Sequence, residues 1–88
     1  MKSAFTSSFL RDLRKLPDED LRAQVRTAIL SVEAAPDLRG VPSLKKLSGN
    51  GPYFRIRMGE YRIGLRVEGD TVTFVRVLPR KDIYRYFP

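Results

Sequence analysis

Four arginines and a tyrosine in the second half of the chain, Arg55, Arg57, Arg62, Arg80 and Tyr84, have types and spacings that suggest chemistry. Arg55 and Arg57 alternate with Phe54, Ile56 and Met58, while Arg62, Gly64 and Arg66 alternate with Tyr61, Ile63, Leu65 and Val67. A period of two is the pattern of a strand with one buried face. The link Met58-Gly59-Glu60 reads as the turn of a hairpin. If both apolar sets face one core, the arginines collect on the outer face of the sheet. Guanidinium groups gathered there repel one another, and an anion is their natural partner. Arginine suits phosphate because its planar fork donates paired hydrogen bonds and keeps its charge at any working pH. A nearby aromatic ring offers a stacking surface for an unpaired base. Such a set fits single-stranded RNA. It also fits attack of a ribose 2′-OH on its neighbouring phosphate, where preorganised cations stabilise the charge that builds on the phosphoryl oxygens. That reaction needs a proton acceptor and a donor, for which Tyr84, Glu60, Asp82, Lys45 and Lys46 are the candidates. The plainer reading of a basic sheet face is a solvated surface, or one covered by an acidic protein.

Composition narrows the chemistry. The chain has 88 residues and a net charge of +7, with no cysteine and no histidine. The length predicts a single domain, 1–88, with a small core. Without cysteine there is no disulfide and no thiolate metal site, which fits a reducing, cytoplasmic setting. Without histidine the commonest general base and metal ligand are both missing. No cofactor and no metal are expected. No apolar run is long enough for a membrane span, and the N-terminal stretch becomes charged too early for a signal peptide. Residues 1–44 carry seven Lys/Arg against six Asp/Glu, whereas residues 45–88 carry ten against four. That asymmetry points to a phosphate-rich partner.

The elements that must position the arginines follow from spacing. Lys2–Thr6 is a possible short strand. Ser7 or Ser8 can cap a helix whose stripe is Phe9, Leu13 and Leu16, with Leu10 adjacent. Pro17 interrupts it. A second helix opens on Asp18, Glu19 and Asp20, where carboxylates suit the helix dipole, and carries Leu21, Val25, Ala28, Ile29 and Val32. Pro36 ends it. Asp37–Ser43 reads as a loop, Leu44–Leu47 as a short edge strand, and Ser48-Gly49-Asn50-Gly51-Pro52 as a breaker. After the hairpin, Glu68-Gly69-Asp70 forms a second tight turn. Thr71–Leu78 reads as a central strand, with Val75 and Val77 on one face and Phe74, Arg76, Leu78 and Arg80 on the other. Pro79 ends that strand, leaving Arg80–Pro88 as a tail. Tyr61 has core parity, Tyr86 and Phe87 are expected to pack, and Gly64 is expected to permit close approach. The fold class is therefore α+β: a helical hairpin on a small, antiparallel-rich sheet of about four strands, with a short C-terminal tail.

The order of a helical hairpin, then LKKLSG, then YFRIRMGEYRIGLRVEGDTVTFVRVLPRKDIYRYF resembles the RelE/ParE toxin superfamily, on its RelE side. The most specific pieces are Arg55-Ile-Arg57, Gly59-Glu-Tyr-Arg62 and Arg80-Lys-Asp-Ile-Tyr84. The resemblance implies a toxin of a type II toxin–antitoxin pair, held inactive by a small acidic antitoxin of RelB type. RelE-type members cleave mRNA on the ribosome through the 2′-OH, leaving a 2′,3′-cyclic phosphate and a 5′-OH. By that likeness Arg55 and Arg57 match a basic pair on the strand. Arg62 matches a phosphate-contacting arginine, Arg80 a transition-state arginine, and Tyr84 a tyrosine that stacks on the nucleotide. Lys45, Lys46, Arg66, Arg76, Lys81 and Arg85 are expected to hold the rest of the RNA. Operator DNA would be bound only through the antitoxin, and no membrane is implied.

Two positions depart from the family pattern. Many relatives carry a histidine where this chain has Pro79, and proline can neither transfer a proton nor donate a backbone hydrogen bond. Arginine at positions 55 and 57 replaces lysines of the best-known member, and arginine is a poor proton acceptor. Both changes favour charge stabilisation over acid–base work. Two rival readings follow from the same resemblance: a ParE-like inhibitor of DNA gyrase, and a catalytically weakened homologue acting as antitoxin partner and co-repressor.

Overall fold

The structure, a computed structural model, describes residues 1–49 and 51–88. Asn50, in the expected breaker, lies outside the described residues. In chain order the elements are β1 (Lys2–Phe5), α1 (Ser7–Arg14), α2 (Glu19–Ala34), a 3-10 turn (Leu38–Gly40), β2 (Leu44–Lys46), β3 (Tyr53–Met58), β4 (Tyr61–Glu68), β5 (Thr71–Pro79) and α3 (Arg80–Tyr86). The strands form one mixed sheet in the order β1-β5-β4-β3-β2. Only the β1–β5 pairing is parallel. The α+β class holds, with five strands where about four were expected, because the short run Lys2–Phe5 does pair.

The inner face of the sheet and the helices enclose the core, which includes Phe9, Val25, Val32, Ile56, Ile63, Leu65, Val72, Phe74 and Val77. Phe74 stacks with Phe5 at 5.4 Å and meets Phe9 at 5.5 Å between ring centres, which ties β5 to β1 and α1. Asp18 caps α2 by accepting from the Leu21 N–H. The cap of α1 is Thr6, not Ser7 or Ser8. Its hydroxyl accepts from the Phe9 N–H at 3.0 Å and donates to the Val75 carbonyl at 2.8 Å, so one side chain serves helix and strand together. Leu10 is 43% exposed, on the solvent side of the helix.

The face assignment expected for β5 changes. Gly64 pairs with Arg76 but Leu65 pairs with Phe74, so Val75 is an extra residue in the ladder. A bulge of this kind reverses the alternation beyond it. Phe74 and Val77 therefore both enter the core, while Arg76 turns to the outer face beside Gly64.

The short C-terminal tail is mostly helical. Residues 80–86 form α3, with Ile83 fully buried and Phe87, four residues on, nearly so. Phe87 lies against Gly64, where a Cβ would come within 2.7 Å of its ring carbons. Gly64 faces outward between Ile63 and Leu65, so α3 covers part of the outer sheet face. The absence of a side chain at this position is what admits the helix.

Candidate functional site

The β3–β4 hairpin sets the arginines. Its two-residue turn has φ 59° at Gly59, a conformation that glycine adopts without a Cβ clash. The resulting register places Arg57 directly opposite Arg62, and Arg55 opposite Gly64. β2 adds Lys45 opposite Arg55. Like charges directly across an antiparallel pair disfavour the sheet, so folding alone gives no reason for this arrangement.

Arg62 is the centre of the group. It is 8% exposed, and its Nη1 donates to the Gly59 carbonyl at 2.6 Å and the Tyr61 carbonyl at 2.9 Å. Burial pulls its pKa below the ordinary arginine value, and Arg55, Arg57 and Arg80 add to that depression. Tyr84 acts in the opposite direction. Among the described residues no carboxylate lies within ion-pair distance of Arg55, Arg57, Arg62 or Arg80; the acids that form ion pairs do so elsewhere. With Nη1 committed to carbonyls, the Nε and Nη2 hydrogens of Arg62 have no protein acceptor among the described residues. They present the edge of the fork that grips an oxyanion.

The other members come from two elements, β3 and α3. Arg55 is half-buried and donates to the Ser43 carbonyl at 3.1 Å, while Arg57 is exposed. Arg80 opens α3, where its N–H bonds the Glu60 carbonyl at 2.7 Å and fastens the helix start to the hairpin turn. Tyr84 follows one turn later and is 58% exposed, so its ring is available for stacking. A cleft of about 530 Å³ beside the cluster is lined by Lys45, Lys46, Tyr53, Arg55, Tyr84 and Phe87, among others. Glu60, Pro79, Arg80 and Lys81 line a smaller recess.

Not every expected cation joins the group. Arg66 is paired with Glu68 at 3.0 Å. Arg76 is held by Asp12. Arg85 is exposed on α3, outside both clefts. Tyr53 and Phe87, which meet edge to face at 5.6 Å, contribute cleft wall that the strand pattern did not assign. The spacing of Ile83 and Phe87 was the available signal for a helix there. No group of three or more carboxylates that could hold a metal ion occurs among the described residues. No helix among the described residues is long and apolar enough to cross a membrane.

The sequence model of the family described as "ParE toxin of type II toxin-antitoxin system, parDE" matches residues 4–84. The chain belongs to the RelE/ParE toxin family. It is 42% identical to toxin RelE3 of Methanocaldococcus jannaschii over 89 residues, covering 100% of both chains. The RelB–RelE antitoxin–toxin complex from Methanococcus jannaschii contains a similar fold, with TM-score 0.81 and 40% identity over 97% of this chain and 99% of that one. The toxin–antitoxin complex RelBE2 from Mycobacterium tuberculosis follows at TM-score 0.70 and 34% identity, over 90% and 96%. This toxin is thus a type II toxin of RelE kind, with its arginine cluster on the outer face of a RelE-like sheet.

Proposed function

We propose that this toxin is a ribosome-dependent mRNA endonuclease that inhibits translation. One observation carries the reading: a buried guanidinium, Arg62, faces three further arginines and has no carboxylate partner among the described residues. Such a group is complete only when an anion arrives, and a scissile phosphate is an anion of suitable geometry. Arg62 and Arg80 clamp that phosphate, and Arg55 and Arg57 add positive potential. Tyr84, exposed one turn along α3 from Arg80, stacks on the adjoining base and is one of the candidates for proton transfer, with Glu60, Asp82, Lys45 and Lys46. As the 2′-oxygen bonds to phosphorus it gives up its proton. The bond from phosphorus to the 5′-oxygen then breaks and that oxygen is protonated, leaving a 2′,3′-cyclic phosphate and a 5′-OH. Pro79 cannot take part, so charge stabilisation dominates over acid–base work. Lys45, Lys46 and Lys81 guide the flanking backbone.

The two solved relatives described above are toxin–antitoxin complexes. A cognate acidic antitoxin is accordingly the proposed partner, covering the basic face in the cytoplasm and supplying any operator contact.

The test is induction in cells followed by primer extension on an abundant mRNA, with and without active translation. Translation-dependent cuts at discrete codon positions are expected from the native chain, and none from Arg80→Ala or Tyr84→Ala. Equal cleavage by those variants would sink the assignment. The family description names ParE, which favours gyrase inhibition as the second reading. Growth arrest with intact mRNA, and altered plasmid supercoiling, would select it.

A further inference from the structure

Arg80 and Tyr84 both stand on α3, and α3 is poorly equipped to hold itself in place. It has seven residues and no side-chain cap at its N-terminus. Helices this short do not persist alone in water, so their placement depends on tertiary contacts. Ile83 and Phe87 supply apolar anchorage on the sheet. The exposed side of the helix has a different tether. The guanidinium of Arg76 lies over the ring of Tyr86, 5.8 Å from its centre. Tyr86 is the last residue of α3, and a cation over an aromatic face is attracted to it.

Arg76 is itself fixed from the opposite end of the chain. Asp12 on α1 is 8% exposed, and its oxygens accept from Arg76 Nε at 2.7 Å and Nη2 at 3.0 Å. The oxygen facing Nε also accepts the Val77 N–H at 3.1 Å. That N–H lies on the edge of β5 beyond the reach of β1, which pairs only as far as Phe74. Three bonds to one carboxylate leave the Arg76 fork a single orientation. The bulge at Val75 matters here, because it lets Arg76 stay on the side of the sheet on which α3 lies while Phe74, two residues earlier, enters the core.

We propose that Asp12 is a positioning residue for the site: through Arg76 and Tyr86 it fixes the end of α3, and with it the placement of Arg80 and Tyr84 against Arg62. The functional part of this inference rests on the cleavage reading above. The mechanical part, that Asp12 governs the docking of α3, does not.

The experiment compares the native toxin with Asp12→Asn, Tyr86→Leu and Arg80→Ala, each normalised to its folded fraction. Asp12→Asn retains an oxygen for the Val77 N–H and removes the charge that holds Arg76. Tyr86→Leu leaves the Asp12–Arg76 pair intact and removes only the last contact, so it remains informative if the first variant folds poorly. Two quantities are read: amide hydrogen exchange along α3, with β4 amides as the internal reference, and single-turnover cleavage of ribosome-bound mRNA. Exchange in α3 should rise about tenfold in both positioning variants, with β4 unchanged. Cleavage per folded molecule should fall roughly tenfold to a hundredfold, with affinity for the programmed ribosome nearly constant, as expected of misplaced groups. Unchanged exchange in α3 would overturn the proposal, as would cleavage that falls only in step with the folded fraction. Arg80→Ala tests the cleavage reading separately: native-level cleavage by that variant would refute it, while exchange in α3 would still decide the role of Asp12.

Discussion

Arg62 and Arg76 lie on adjacent strands, on the same outer face of one sheet, in opposite electrostatic states. Arg76 has a carboxylate in a two-pronged grip, and that hydrogen-bonded pairing with Asp12 raises its pKa despite partial burial. Arg62 is the more buried of the two, has only backbone carbonyls, and has its pKa lowered by burial and by the surrounding arginines. The first is a charge completed within the fold. The second is a charge with no acidic counterpart among the described residues. A count of basic residues treats these two arginines alike, whereas the arrangement of acids around them separates architecture from function.

The largest expected effect is catalytic. Arg62→Met should reduce cleavage by roughly 10²–10³-fold, the usual consequence of removing a preorganised charge stabiliser. The same change should leave folding stability unaltered or raise it by about 1 kcal/mol, because it removes a buried cation that has no acid partner. Arg76→Met should do the reverse to the fold. It strands Asp12 in a buried position and should cost about 3 kcal/mol in urea denaturation. If the two variants shifted stability in the same direction, Arg62 and Arg76 would not differ in this way.

Gly64→Ala comes next. A Cβ at this position meets the Phe87 ring at 2.7 Å, so the ring and the end of α3 must move. A loss of about 2 kcal/mol is expected, of the size seen for overpacked sites, together with slower cleavage. Retained stability with native cleavage would mean that Phe87 has room to shift without disturbing Arg80 or Tyr84.

The smallest effect concerns the exposed ion pairs. Arg22 and Arg39 hold the pKa values of Glu19 and Asp37 below the ordinary carboxylate range. Their folded pKa values are depressed, so their contribution is present at neutral pH and fades as pH falls through that range. Glu19→Gln should produce no measurable change in Tm at neutral pH, since exposed pairs contribute little. A large drop would show that surface pairing carries more of the fold than the buried Asp12–Arg76 pair implies.

Much of this toxin was legible in its sequence because the relevant information is local. The period-two runs Tyr53–Met58 and Tyr61–Val67 specify a hairpin with its arginines on one face, since side-chain direction in a strand depends only on position parity. The stripe Leu21, Val25, Ile29 and Val32 specifies a helix for the same reason at a different period. What depended on tertiary structure was every feature set by a partner distant in the chain. Parity predicted the wrong face for Phe74 because one extra residue in the ladder, visible only once β5 is laid against β4, resets the count. The spacing of Arg62 from its neighbours marked it as outward-facing, yet it is buried, with its Nη1 held by the Gly59 carbonyl of the hairpin turn. Nor does anything near Arg76 in sequence announce Asp12, which stands 64 residues away. Composition and periodicity determined which groups this protein could bring to an outer sheet face. The chain's return upon itself decided which of those charges are neutralised within the fold and which find no acidic partner among the described residues, because burial and ion pairing are properties of surroundings and not of residue type.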